Sequence, residues 1–154
     1  MKSISVPYAK LNVKGGGVMP AKIKVANPNR CIGCYSCMLA CSRANADSVS
    51  LIDSAIDIRT SGGIESGIGI IVCRSCIDPP CARACPTGAL APRNGGGVVL
   101  NKNLCDSCGV CADACLPRAI HFDRADMPVI CIHCGVCARF CSHDVLEIRK
   151  TEVL

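Results

Sequence analysis

Sixteen cysteines restrict what this chain of 154 residues can fold into more than any other feature of its sequence. They fall into four groups of four, and no cysteine lies outside a group. Three groups share the spacing C-x2-C-x2-C-x3-C, and the second along the chain has a longer middle gap, C-x2-C-x4-C-x3-C. A chain so rich in cysteine is either a disulfide scaffold or a metal protein. We call the groups quartets 1 to 4 in chain order: Cys31, Cys34, Cys37 and Cys41; Cys73, Cys76, Cys81 and Cys85; Cys105, Cys108, Cys111 and Cys115; and Cys131, Cys134, Cys137 and Cys141.

The segments that flank the quartets repeat as well. A short apolar, β-branched run precedes each quartet, and a turn of small residues with a second apolar run follows three of them. This pattern predicts a repeated unit of strand, cysteine loop, one helical turn and strand. The longest stretch without cysteine, residues 42–67, is expected to be a linker or insertion. The predicted strands cover residues 23–25, 68–72, 89–90, 98–100, 119–122, 129–130 and 145–148.

Large aromatic side chains are almost absent, since the chain has two tyrosines, two phenylalanines and no tryptophan. Its length suits one ordinary domain or two very small ones. A core without large rings needs another filling, and inorganic clusters can supply it.

The spacing within the quartets favours iron–sulfur clusters. Three cysteines in C-x2-C-x2-C on a tight loop can turn their sulfurs toward one [4Fe-4S] cube. The fourth cysteine begins a helical turn that points away, and in bacterial two-cluster ferredoxins it binds the other cluster. We therefore expect the quartets to work in pairs and to hold four [4Fe-4S] clusters. Gly33, Gly109 and Gly135 are expected to let backbone N–H groups approach the sulfurs.

Disulfides and zinc are the alternative uses of these cysteines. Cysteines two or three residues apart in a loop make poor disulfide partners. Zinc sites usually use two well-separated pairs rather than four crowded cysteines, which leaves a zinc-binding interaction module as the alternative from a different class. His121, His133 and His143 lie in or near the quartets, but sixteen cysteines already satisfy four clusters. These histidines are therefore expected on the surface or beside the clusters, not bound to them.

The remaining bulk features indicate a cytoplasmic protein. The N-terminal residues lack the apolar run of a secretory signal, and no stretch approaches the roughly 20 apolar residues of a membrane span. Reduced thiols and metal-binding cysteines are typical of the cytosol. The formal charge of +5 counts the thiols as neutral. Four thiolate-bound clusters would make the net charge negative, so nucleic acid is not an expected partner.

The stretches CIGCYSCMLAC, CRSCIDPPCARACPTGAL, CDSCGVCADAC and CIHCGVCARFC together resemble the four-cluster, ferredoxin-like electron-transfer subunits of molybdenum and tungsten oxidoreductases. The C-x2-C-x2-PP-C-x3-CP form of quartet 2, with Pro79 and Pro80, is a signature of that family. The resemblance spans about residues 28–148. The small size and the glycines after CPTGALAPRN are most similar to the iron–sulfur subunit of tungsten-dependent aldehyde oxidoreductases.

The resemblance implies an α+β fold of tandem bacterial-type two-cluster ferredoxin folds, with short strands and one-turn helices around the clusters. The central two-cluster unit would span residues 68–124. Residues 28–67, with the first quartet and the linker, would pack with residues 125–148, which hold the fourth. Residues 1–27 would form an N-terminal extension and residues 149–154 a C-terminal tail.

In the resembled family, quartet 1 pairs with quartet 4, and quartet 2 with quartet 3. Each cluster would then take three cysteines from one quartet and the last cysteine from its mate. The implied ligand sets are Cys31, Cys34, Cys37 and Cys141; Cys131, Cys134, Cys137 and Cys41; Cys73, Cys76, Cys81 and Cys115; and Cys105, Cys108, Cys111 and Cys85.

The function implied by the resemblance is electron transfer between a tungsten- or molybdenum-pterin catalytic subunit and a flavin subunit or soluble ferredoxin. Aldehyde oxidation is the reaction expected of the catalytic subunit. A subunit of a formate dehydrogenase or hydrogenase and a free polyferredoxin are the alternatives, and self-association stays open. The sequence contains no nucleophile–base constellation, P-loop or Rossmann glycine run, so the chain is not expected to be catalytic alone.

Overall fold

Short strand pairs and helices alternate with the cysteine loops in the computed structural model, which describes residues 21–62 and 67–150. The described strands pair two by two and antiparallel, β1 with β8, β2 with β3, β4 with β5 and β6 with β7. The strands are β1 (Ala21–Val25), β2 (Asp57–Thr60), β3 (Ile68–Ile71), β4 (Leu90–Pro92), β5 (Val98–Leu100), β6 (His121–Phe122), β7 (Pro128–Val129) and β8 (Leu146–Lys150). The helices are α1 (Ser36–Ala46), α2 (Pro80–Arg83), α3 (Val110–Ala114) and α4 (Val136–Arg139).

Each helix begins directly after a turn that reverses the chain beside a cysteine. Gly109 and Gly135 precede α3 and α4 with a left-handed backbone, which glycine adopts without steric cost. Tyr35 takes the same conformation before α1. Pro80 opens α2, where its missing N–H costs no helical hydrogen bond. The helix of quartet 2 therefore begins at a proline, whereas the helices of quartets 3 and 4 each follow a glycine.

All seven predicted strands overlap observed strands, but the expectation of one-turn helices is wrong for α1. This helix has 11 residues, whereas α2, α3 and α4 have four or five. It is longer because it packs against α4 and against a 3₁₀ turn at Leu51–Asp53. Tertiary contact of this kind stabilises helices that their own sequence would leave short.

Residues 42–62 form regular structure and contribute to the core, although the sequence suggests a linker or insertion there. They contain the end of α1, the 3₁₀ turn and β2, and they place Ala55, Ile56 and Ile58 in the core. The strand β1 belongs to the predicted N-terminal extension, yet it pairs with β8 in full register, Ile23 opposite Ile148. Residues 1–20 of that extension and residues 151–154 of the predicted tail lie outside the described residues.

Two separate groups of buried side chains form the interior. The larger joins the cysteines of quartets 1 and 4 to Ile23, Met38, Ile58 and Leu146. The smaller joins Cys81 and Cys85 of quartet 2 and Cys111 of quartet 3 to apolar residues nearby, including Leu90, Val98 and Ile130. Neither group contains a fully buried aromatic ring, and cysteines make up much of both. The buried interior of this chain is therefore assembled around its cysteine loops.

Candidate metal centre

All sixteen cysteines lie in the described part of the chain, and each is a free thiol. Their exposure differs: Cys34 and Cys108 are exposed, whereas Cys37, Cys41, Cys111, Cys115 and Cys137 are buried. No pair of them forms a disulfide in this fold. The sulfurs are therefore available as ligands.

One cavity, which we call site A, is lined by four cysteines: Cys31, Cys34, Cys37 and Cys141. The first three come from quartet 1, and the start of α1 carries Cys37 into the cavity. The last belongs to quartet 4, and the pairing of β1 with β8 brings that end of the chain to this cavity. The N–H of Val145 donates a hydrogen bond to Sγ of Cys141 at 3.4 Å.

Site C is the equivalent cavity in the middle of the chain, lined by Cys73, Cys76, Cys81 and Cys115. Its first three cysteines come from quartet 2 and its last from quartet 3. Pro79 and Pro80 also line it, because α2 begins at Pro80 and carries Cys81 in its first turn. The N–H of Ala119 donates to Sγ of Cys115 at 3.4 Å, which repeats the bond from Val145 to Cys141.

Site D is a third cavity, lined by Cys85, Cys105, Cys108 and Cys111. Burial acts to raise the pKa of Cys85. Hydrogen bonds from the hydroxyl of Thr87 and from backbone N–H groups, among them that of Ala89, outweigh burial and lower this pKa. The residue four positions after the last cysteine therefore acts on that sulfur in quartets 2, 3 and 4 alike.

Site B consists of the four remaining cysteines, Cys41, Cys131, Cys134 and Cys137. Burial raises the pKa of Cys137 to about 12, and the neighbouring thiols of Cys41 and Cys134 add to that rise. Burial also raises the pKa of Cys131, and again the thiols of Cys41 and Cys137 contribute. The four sulfurs are therefore close enough to repel one another when they ionise. In each of the four sites, three cysteines of one quartet meet the last cysteine of another.

Neighbouring thiols also fix the order of the sites. Cys37 of site A raises the pKa of Cys137 in site B, in line with the packing of α1 on α4. Cys131 of site B lies against the cavity of site C, where the thiol of Cys73 contributes to the rise in its pKa. The helices α2 and α3, which carry cysteines of sites C and D, pack against each other. The sites therefore follow one another as A, B, C and D, with exposed Cys34 and Cys108 in the two outermost.

The chemistry of the donors suits a polynuclear, positively charged metal centre. Burial and then the thiol of Cys141 raise the pKa of Cys37 to about 11. Burial and then the thiol of Cys115 do the same for Cys81. Thiolates crowded in this way need compensating positive charge, which bound iron provides. No group of three or more metal-binding side chains in the described residues converges on a point suited to a single ion. The sulfurs of sites A, C and D line cavities.

His133 is a residue of the cysteine loops whose burial the sequence does not indicate. It is buried, with 5% of its surface exposed, and neither ring nitrogen has a hydrogen-bond partner among the described residues. Burial, followed by the charges of Arg93 and Lys22, lowers its pKa to about 4. Nε2 of His121 lies 2.9 Å from the carbonyl oxygen of Ile52, and His143 lines site A. Of the two positions expected for the histidines, on the surface or beside the clusters, His133 therefore takes the buried one beside the cysteines. A spacing pattern carries no information on burial and could not choose between them.

None of the helices in the described residues is long and apolar enough to cross a membrane.

A 4Fe-4S binding domain family matches three stretches of the chain, residues 28–44, 102–118 and 130–144. These stretches contain quartets 1, 3 and 4. Quartet 2, with its longer middle gap, lies outside the matched residues.

Several curated proteins are similar to this chain. An NADH-dependent phenylglyoxylate dehydrogenase subunit beta from Aromatoleum evansii is 33% identical over 101 residues, which cover 64% of this chain and 23% of that protein. An iron–sulfur protein of Rhodospirillum rubrum is 33% identical over 96 residues, 58% of this chain and 50% of that protein. The electron transport protein HydN of Escherichia coli (strain K12) is 36% identical over 97 residues, 59% of this chain and 54% of that protein. The chain thus spans about half the length of these relatives or less.

The cysteine sites, the domain match and these similarities converge on one class of protein. The chain is similar to ferredoxin-like iron–sulfur proteins of oxidoreductases and electron transport, and three of its stretches match a 4Fe-4S binding domain.

Proposed function

We propose that this protein carries electrons through four [4Fe-4S] clusters, one in each of sites A to D. The observation that supports this most directly is the grouping of sixteen free thiols into four sets of four. A [4Fe-4S] cluster needs four thiolates, and each, when bound, can take up and release one electron. The proposed ligands are the cysteines of each site as defined above.

The role of the protein itself is to hold, space and shield the clusters. Cys41 and Cys137 of site B are buried, while Cys34 and Cys108 leave sites A and D open at the surface. A globule of this length has a radius of gyration of about 15 Å. Adjoining sites inside it are close enough for electron tunnelling. We infer that electrons enter at one exposed site and leave at the other.

A catalytic partner with a tungsten- or molybdenum-pterin centre belongs to the proposal because the four cysteine stretches resemble the electron-transfer subunits of molybdenum and tungsten oxidoreductases. The small size and the glycines after CPTGALAPRN favour an aldehyde oxidoreductase as that partner. The other partner would be a flavin subunit or soluble ferredoxin. Similarity to a subunit of an NADH-dependent dehydrogenase supports a role within an oxidoreductase complex. Similarity to the electron transport protein HydN equally supports the alternatives of a hydrogenase or formate dehydrogenase subunit and a free polyferredoxin. We also propose that the protein can associate with further copies of itself and that it is located in the cytoplasm.

Oxygen-free purification from the native host tests the proposal in two steps. The chain itself should be brown and contain roughly sixteen irons per molecule. A colourless protein that contains zinc and no iron would overturn the proposal and favour a zinc-binding interaction module. Metal analysis of the co-purifying proteins then identifies the partner: tungsten or molybdenum supports the pterin-dependent subunit. Recovery of the chain alone, with its full iron content, would support a free polyferredoxin instead.

A further inference from the structure

The turn at residues 93–97, between β4 and β5, lies at the junction of sites B and C. It contacts the cysteine loops of both sites, residues 73–76 and residues 131–134. The N–H of Gly97 donates a hydrogen bond to the carbonyl oxygen of Cys76 at 2.9 Å. Nη1 of Arg93 donates to the carbonyl oxygen of Ile132 at 3.0 Å. One turn of five residues is therefore bonded to both loops.

The turn fits this space because its buried residues are glycines. Gly96 and Gly97 both have left-handed backbones, at φ +102° and +83°. A Cβ atom on Gly96 would overlap the carbonyl oxygen of Ser75, and one on Gly97 would lie 3.5 Å from the ring of His133. The turn is therefore packed tightly against Ser75 at Gly96 and lies in van der Waals contact with His133 at Gly97.

Arg93 brings a fixed positive charge into this junction. Its Nε donates to the carbonyl oxygen of Gly96 at 3.2 Å, so the guanidinium is held from two sides, and the side chain is half-buried. Burial raises the pKa of Cys73, and the charge of Arg93 acts against that rise. Arg93 is the one charged residue of this turn, RNGGG, so the turn presents a single positive charge to both loops.

We propose that Arg93 is a positioning residue that raises the reduction potentials of the clusters in sites B and C and leaves those of sites A and D unchanged. This inference rests on the proposed function. Adding one electron to a cluster makes its site more negative by one charge, and a fixed cation stabilises that state. A half-buried charge acts more strongly than an exposed one, because solvent ions screen it less.

Anaerobic redox titration of the purified protein, followed by electron paramagnetic resonance, tests the inference. Arg93→Gln removes the charge and keeps a hydrogen-bond donor, while Arg93→Lys keeps the charge and loses the planar fork. Arg59→Gln is the matched control, because it removes the same charge from an exposed side chain on β2. We expect Arg93→Gln to lower two of the four midpoint potentials, and Arg93→Lys and Arg59→Gln to lower none.

Iron content, measured on every variant, separates a tuning role from a folding role. Four unchanged potentials in an Arg93→Gln protein with full iron would overturn the inference, as would an equal shift of all four. A shift in Arg93→Lys as large as that in Arg93→Gln would also overturn it, since charge would then not be the cause. Arg93→Gln could also lose iron. In that case, full iron and unshifted potentials in Arg93→Lys would support the role of charge, whereas loss of iron from both variants would overturn the inference. A wild-type protein without [4Fe-4S] signals would instead overturn the proposed function itself.

Discussion

The third residue of each cysteine loop has a left-handed backbone: Gly33, Ser75, Ser107 and His133 have φ angles of 52° to 69°. Only the first is a glycine, so three loops accept a conformation that other side chains rarely adopt. In two of these loops the conformation allows a hydrogen bond to sulfur: the N–H groups of Ser75 and His133 donate to the thiols of Cys73 and Cys131. These bonds act to lower the pKa of both thiols. Such N–H···S bonds are one means by which proteins tune cluster potentials.

Gly96→Ala is expected to disturb the junction of sites B and C. The new Cβ would overlap a backbone oxygen of Ser75, which cannot move without moving the cysteine loop. Gly88→Ala is the matched control, because Gly88 is also left-handed, at φ +67°, and has nothing within 4 Å of its Cβ position. The control carries only the backbone penalty of about 1–2 kcal/mol. Iron content and anaerobic thermal melting compare the two, and equal effects would contradict the tight fit.

Cys76→Ser is expected to remove or convert the cluster of site C. Electron flow to the final acceptor should then stop, because site C stands between sites B and D. The catalytic partner's own cofactor should still be reduced by its substrate. Iron analysis and stopped-flow spectroscopy of the complex measure both effects. Ser50→Ala serves as a control, because Ser50 lies outside the cysteine loops and its side chain makes no capping hydrogen bond. Undiminished electron flow through Cys76→Ser would argue against a linear path.

At the scale of elements, the segment between quartets 1 and 2 shapes the surroundings of sites A and B. The strand β2 pairs with β3 and buries Ile58, while α1 packs along α4. Ile70, on β3, and Ile58 both line the cavity of site A. These contacts give site A an apolar wall formed by two neighbouring strands.

Ile58→Ala should therefore destabilise the protein by about 2–5 kcal/mol, because it leaves a cavity in the larger core. For a domain of this size, that loss lowers the melting temperature by roughly 10 °C. Val49→Ala, at a side chain that is 72% exposed, should change it little. Anaerobic circular dichroism of the iron-loaded proteins measures both variants. Equal melting temperatures would mean that residues 42–62 only connect the quartets.

The sequence predicts the repeated elements well and the connecting ones poorly. Seven strands flank quartets, where β-branched runs stand out against turns, and each overlaps an observed strand. The strand β2 was missed because its sequence, DIRT, has one apolar residue and no quartet beside it. The burial of His133 and the bonds of Arg93 depend on contacts between distant parts of the chain, which spacing alone does not encode. The three consecutive glycines at 95–97 are the signal that could have revealed this junction.

At the scale of the whole molecule, cysteines are a substantial part of the interior that the structure describes. Four two-stranded pairs cannot form a stable sheet core by themselves, and isolated hairpins are marginal in water. Cysteines supply much of both buried groups. The clusters would therefore act as the centre around which the strands pack.

Removing the iron with a chelator, without oxygen, should unfold the protein, since binding free energy is folding free energy in such domains. Loss of the circular dichroism signal in step with iron release measures this. Restoring iron and sulfide under reducing conditions should bring the signal back, which serves as the control for irreversible damage. A stable, iron-free protein with an unchanged spectrum would show that the strands and helices hold without their clusters.

The pairing of the first described strand with the last sets the order in which a growing chain can be completed. Sites C and D draw all their cysteines from residues 73–115, whereas sites A and B require residues from both ends. When residue 115 has just left the ribosome, all cysteines of sites C and D are thus present. At that point Cys31, Cys34 and Cys37 of site A still lack Cys141. Iron delivered during translation would fill sites C and D first, and sites A and B would be completed only after Cys141 has emerged.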